Sequence, residues 1–175
     1  ESLILSVLNQ DIPSQLSEES AKKLFLNFDR MCTSLLSVYI AAAYYGKPVH
    51  AEALASCIER LANLCLSTPQ QTPSMFKFRQ YPAILLLYGV GIAAVASGNY
   101  QTLSTILTVP MVRGDFGRDE PFYGHMNPDV IIENGFGFPK KGKPYFVSCY
   151  LKSRLREPLF EYIAVDRNYD LSFDR

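Results

Sequence analysis

The chain is short of charge, of histidine and of paired cysteines. Only 19% of its 175 residues are Asp, Glu, Lys or Arg, and seventeen bases balance seventeen acids, so the formal net charge is zero. That balance argues against a protein that coats nucleic acid, whose affinity comes from a surplus of Lys and Arg facing phosphates. The four cysteines, Cys32, Cys57, Cys65 and Cys149, form no Cys-x-x-Cys pair. Each sits in an apolar run, as buried free thiols do, whereas disulfide frameworks belong mostly to shorter secreted chains. No signal peptide leads the sequence, which favours a cytoplasmic setting. Gly-x-Ser-x-Gly, His-Glu-x-x-His and comparable catalytic signatures are missing as well.

What is present is apolar. Hydrophobic residues make up 48% of the chain, which excludes the low-hydrophobicity, high-charge composition of disorder. A chain of this length buries about 70% of its unfolded surface, enough for one domain without a metal or disulfide staple. It begins at Glu1 and stops at Asp174-Arg175, so we read it as a piece of a longer protein.

Periodicity points to helices. Ser17 before Glu18 and Glu19 suits a helix start, and Phe28, Met31, Cys32, Leu35, Leu36, Tyr39, Ile40 and Ala43 recur at helical spacing up to Gly46 and Pro48. A second helix is predicted over 49–66, followed by a loop over 67–73. Between Arg79 and Arg113 there is no charged residue. The run 81–98 reads as a helix buried on all sides, although with 31–46 it also admits a membrane-embedded reading. Asn99 caps a shorter helix to about Leu107, completing a hairpin around Gly98. Six glycines (114, 117, 124, 135, 137, 142) and five prolines (110, 121, 128, 139, 144) then predict an irregular excursion over 110–144, with a short strand at 129–132. Helices return over 145–156 and 158–163, and another starts near Asp166. The fold expected is therefore mainly α: a single helical domain over 1–175, built as a bundle of antiparallel hairpins with one Gly/Pro-rich insertion.

The neutral total conceals a pattern. Residues 115–135 carry net −4, residues 136–156 net +6 and residues 157–175 net −3. Within the basic block, Gly137-Phe138-Pro139-Lys140-Lys141-Gly142-Lys143 matches the opening of a phosphate-binding loop, but Pro144 stands where the magnesium-binding hydroxyl should be. His50, Cys57 and Cys65 spread over four turns of one helix and cannot converge on one ion. No metal and no cofactor is expected. The aromatic and basic residues Phe122, Tyr123, His125, Phe136, Phe138, Lys140, Lys141 and Lys143 form the candidate interaction face. His125 near Asp119, Glu120 and Asp129 offers the rival reading, a small enzyme using acid–base chemistry.

Two resemblances follow from particular stretches. Residues 91–103, small residues then Gly98-Asn99-Tyr100 and a second helix, resemble one tetratricopeptide-like hairpin, without a repeat at that period elsewhere. Residues 79–108, from Arg79-Gln80-Tyr81-Pro82, and Arg156-Glu157-Pro158-Leu159-Phe160-Glu161-Tyr162 with 169–175, are similar to helical C-terminal accessory regions of large bacterial defence-type proteins. Those regions follow an ATP-binding, NAD-hydrolysing or other effector domain. The resemblance implies a non-catalytic sensing, regulatory or assembly module. Its partners would be other domains of the same polypeptide, another protein or a second copy, in preference to nucleic acid or membrane.

Overall fold

A computed structural model describes residues 18–66, 80–113, 117–126 and 147–163. Among these the architecture is mainly helical. Helices α1 (Glu18–Tyr45) and α2 (Pro48–Leu66) follow each other closely, as do α3 (Tyr81–Ala96) and α4 (Tyr100–Thr108). Strands β1 (Met111–Arg113) and β2 (Asp119–Pro121) make a small antiparallel ribbon, a 3-10 turn follows at Phe122–Gly124, and α5 (Val147–Leu159) closes the set.

The core forms around α3. On α1 the buried residues Phe28, Cys32, Leu36, Ile40 and Ala43 recur every three or four positions, giving the single apolar stripe of an amphipathic helix. Helix α3 differs, since Tyr81 through Leu87 are all buried and Gly89, Val90, Ala93 and Ala94 continue the burial. It packs most extensively against α1 and also touches α2, α4 and α5. An apolar helix of this kind is stable only when covered on most sides, which the four neighbours provide. No helix among the described residues is long and apolar enough to cross a membrane.

Gly89 sets how closely α1 and α5 approach. A Cβ there would lie 2.6 Å from Leu36 Cδ1, 3.3 Å from Leu155 Cδ2 and 3.4 Å from Ile40 Cδ1. At the far end of α3, Gly98 takes φ +70°, the left-handed conformation that ends a helix cheaply only in glycine. Asn99 then caps α4 by accepting from the Thr102 N–H at 3.2 Å. Its amide donates to the carbonyls of Ala43 and Gly46, so one side chain starts α4 and anchors the hairpin to the end of α1. That short connection is the Gly-Asn turn expected of 98–99.

The described part of the excursion, 110–113 and 117–126, contains an antiparallel pair of short strands. Its two strands pair Met111 with Pro121, Val112 with Glu120 and Arg113 with Asp119. Asn63 of α2 holds the ribbon by donating to the Met111 carbonyl at 2.9 Å, and Val112 and Phe122 seal it against the core. Alternation is hard to recognise in three-residue strands, which is why neither was predicted. The strand expected at 129–132, the loop at 67–73 and the helix from Asp166 lie outside the described residues. Helix α5 runs through Pro158 instead of breaking at 156–158. The proline sits at the penultimate position, so the ladder loses only the one bond its own N–H would have made, in the last turn.

Candidate functional site

Three places in the described structure carry chemistry. The first is the end of the ribbon, where the sequence placed its interaction face. Tyr123 is exposed, but Phe122 is 1% exposed and belongs to the core, so its ring is not available at a surface. Burial follows from its position, since the Phe122 N–H donates to the Pro110 carbonyl and draws the 3-10 turn under the ribbon. His125 lies beside Glu120, with Nε2 2.7 Å from Oε2. Both side chains are partly solvated, at 25% and 44% exposure. Asp119 is exposed on β2, in register with Arg113 and not with His125. Phe136, Phe138, Lys140, Lys141, Lys143 and Asp129 lie outside the described residues, as does the 137–143 phosphate-loop match.

The second place is a buried polar cluster joining α1, α3 and α5. Asp29 interrupts the apolar stripe of α1 and is 5% exposed. Its Oδ1 accepts from the Tyr81 hydroxyl at 2.7 Å and from Arg154 Nε at 2.7 Å. Its Oδ2 meets the Arg154 terminal nitrogen at 2.6 Å. This is a two-point carboxylate–guanidinium pair, the geometry in which arginine outperforms lysine. The Tyr150 hydroxyl stands 3.3 Å from that of Tyr81, and the two rings meet edge to face.

Burial pushes the Tyr81 phenol strongly upward, with Tyr150 and Asp29 adding to the effect. One turn along α1, the Cys32 thiol is raised from 9.0 to about 12, by burial first and by Asp29 second, with Arg154 opposing. A thiol so held stays protonated at neutral pH and is no nucleophile. For Arg154, burial opposes the charge, but Asp29 and the two tyrosines outweigh it and the net direction is upward. Tyr81, Cys32 and Arg154 are thus all held in their protonated forms. The chemistry of the cluster is that of a clasp.

This cluster escaped the sequence reading. One signal for it existed, an acid inside the apolar stripe between Phe28 and Cys32. The residues that answer it are 52 and 125 positions away, and nothing in either local pattern marks them as partners.

The third place is a half-open groove of about 600 Å³ along the second half of α3. Leu87, Tyr88, Gly91, Ile92, Val95 and Ala96 form one wall, and Leu103 and Leu107 of α4 the floor. Tyr123 and Met126 come from the turn after β2, and Tyr162 and Ile163 from the segment after α5. No charged side chain lines it among the described residues. Tyr162 also touches the rings of Tyr44 and Tyr45, at 5.1 and 5.9 Å between centroids. Burial, Glu161 and Tyr45, in that order, raise its phenol pKa. Of the described members of the expected interaction face, Tyr123 reaches this groove.

Among the described residues no group of three His, Cys, Asp or Glu could hold a metal ion. His50 is exposed and its Nδ1 accepts from the Lys47 N–H at 3.1 Å, while Cys57 is a buried free thiol. The side chains of Cys65 and Cys149 lie outside the described residues. Comparison with protein families, with curated proteins and with solved structures finds no match to this chain.

Proposed function

We propose that this chain is a non-catalytic sensing, regulatory or assembly module of a larger cytoplasmic bacterial protein, and that the α3–α4 groove is its receiving surface. The observation that carries the reading is the contrast between the groove and the ionisable groups. Asp29 and Arg154 are occupied in joining helices, whereas the groove beside α3 presents Leu, Ile, Val and Tyr. A concave apolar surface with a few hydroxyl groups is built for binding. The bacterial, defence-type setting rests on the resemblance of 79–108, 156–162 and 169–175 to accessory regions that follow an effector domain.

A second reading has one specific observation in its favour. The 2.7 Å contact between His125 and Glu120 is within reach of a general acid–base pair. Replacing His125 by Ala decides between the two. The module reading expects any activity of the chain, alone or joined to its neighbouring domains, to stay within about twofold while the melting curve is unchanged, since removing an exposed pair costs roughly 0–1 kcal/mol. A turnover that disappears in His125→Ala with folding intact overturns the module reading.

A further inference from the structure

Given the module reading, the nature of the groove narrows what it receives. Its volume of about 600 Å³ falls inside the roughly 300–1,000 Å³ of small-molecule pockets. The lining sets the charge of the occupant. Burying an ionised group without a partner costs several kcal/mol or forces its neutralisation, and no described lining residue offers a countercharge. The lining also sets its polarity. Tyr88, Tyr123 and Tyr162 bring phenols to the walls, each able to donate or accept one hydrogen bond. The remaining surface is aliphatic, and at Gly91 the missing side chain leaves Leu103 and Ile106 at ordinary contact distance from where a Cβ would stand.

We infer that the α3–α4 groove binds an uncharged, mainly hydrocarbon small molecule carrying one or two hydroxyl or carbonyl groups, with the tyrosine phenols as its polar contacts. The occupant would lie along α3 between Leu87 and Ala96 and be held from above by Tyr123 and Tyr162. It would thereby join the ribbon and the segment after α5 to the central hairpin, which is how a small ligand would be felt at a distance.

The test uses the whole chain and an uncharged fluorophore, N-phenyl-1-naphthylamine, which brightens in apolar surroundings. Titration should show saturable binding of one probe per chain. Ala96→Phe fills the groove from an exposed position at the end of α3, and Val95→Glu places a charge in it from a half-exposed one. Each should weaken binding by about tenfold or more, the loss of roughly 1.4 kcal/mol, with the melting temperature unchanged. Val38→Ser, on an exposed apolar position of α1 outside this groove, should leave binding as it was. Dodecanol should displace the probe, and dodecanoate should do so about tenfold less well. Absence of saturable binding overturns the inference, as does binding indifferent to both groove variants, or equal displacement by dodecanoate. Sedimentation showing that Ala96→Phe dissociates a dimer also overturns it, by giving the groove to a second copy. None of these outcomes involves His125, so the ligand inference fails separately from the module reading.

Discussion

The two ends of α3 lie about 24 Å apart along a helix of sixteen residues at 1.5 Å each, and they are built on opposite principles. At Tyr81 the helix enters a polar cluster in which the carboxylate has both oxygens engaged. From Leu87 to Ala96 one side of the same helix faces an apolar groove with no charge among its described walls. The first end spends its polar groups on joining α1 and α5. The second leaves apolar surface uncommitted. The difference shows where rigidity and receptivity lie in this fold, because a clasp tolerates no vacancy and a binding groove requires one.

The largest expected effect breaks the clasp. Arg154→Ala leaves the buried Asp29 carboxylate without its counterpart, and Asp29→Ala leaves a part-buried guanidinium; breaking a buried pair commonly costs about 3–5 kcal/mol. Arg154 keeps 35% of its side chain exposed, so the lower part of that range is expected. Denaturant unfolding should show both single losses near about 3 kcal/mol. The Asp29→Ala, Arg154→Ala double variant should cost much less than their sum, since the second change removes a charge already unpaired. Additive losses would remove the clasp from this comparison.

Much of the architecture was legible in the sequence, and the reason is periodicity. The stripe Phe28, Cys32, Leu36, Ile40 and the apolar residues of 81–96 each define a burial pattern within one helix, and Gly46, Gly98 and Asn99 mark where those helices end and the next begins. The excursion was less legible, because strands of three residues carry too little alternation to register. Sites are harder still. The clasp is made by residues 29, 81, 150 and 154, whose meeting depends on how three helices cross. The groove is made by what is left out, the space between α3, α4, Tyr123 and Tyr162. Phe122 shows the converse error, an aromatic chosen for a surface because its loop looked irregular, when the ribbon folds it into the core.

Two glycines, two positions apart on α3, sharpen the comparison at smaller scale. Gly89→Ala drives a Cβ to 2.6 Å from Leu36 Cδ1 on the clasp side. Overpacking costs about 1–3 kcal/mol, and the better helix propensity of alanine returns about 1, so a net loss of up to about 2 kcal/mol is expected. Gly91→Ala meets only Leu103 and Ile106, at 3.7 and 4.0 Å. It should gain up to about 1 kcal/mol from the same propensity term. Thermal melts of the two variants should move in opposite directions, and shifts of the same sign would mean that the packed and open sides of α3 are not so different.

The smallest effect appears only in alkali and reports on the clasp from within. In the unfolded chain the Cys32 thiol ionises around its ordinary 9.0, whereas in the folded state it does not until about 12. Above pH 9 the unfolded state therefore binds fewer protons than the folded one, and stability falls as pH rises. The contribution is intact below pH 9 and is lost between 9 and 12, by about 1.4 kcal/mol for each full pH unit. Tyr81, also raised by burial, adds a loss of the same sign, but only above the ordinary 10 of a phenol. Between pH 9 and 10 the thiol acts before it, and about 1 kcal/mol should separate the two ends of that interval. Cys32→Ala may be measured against this slope even though the substitution empties a small volume in the core, because an emptied volume lowers stability equally at every pH. Urea midpoints of the wild type should fall across pH 8–10, and those of Cys32→Ala should fall distinctly less steeply over the same range, apart from a constant offset. Parallel slopes would mean that Cys32 ionises as freely in the folded chain as in the unfolded one, and that the end of α3 at Tyr81 is as open to water as the groove at the other.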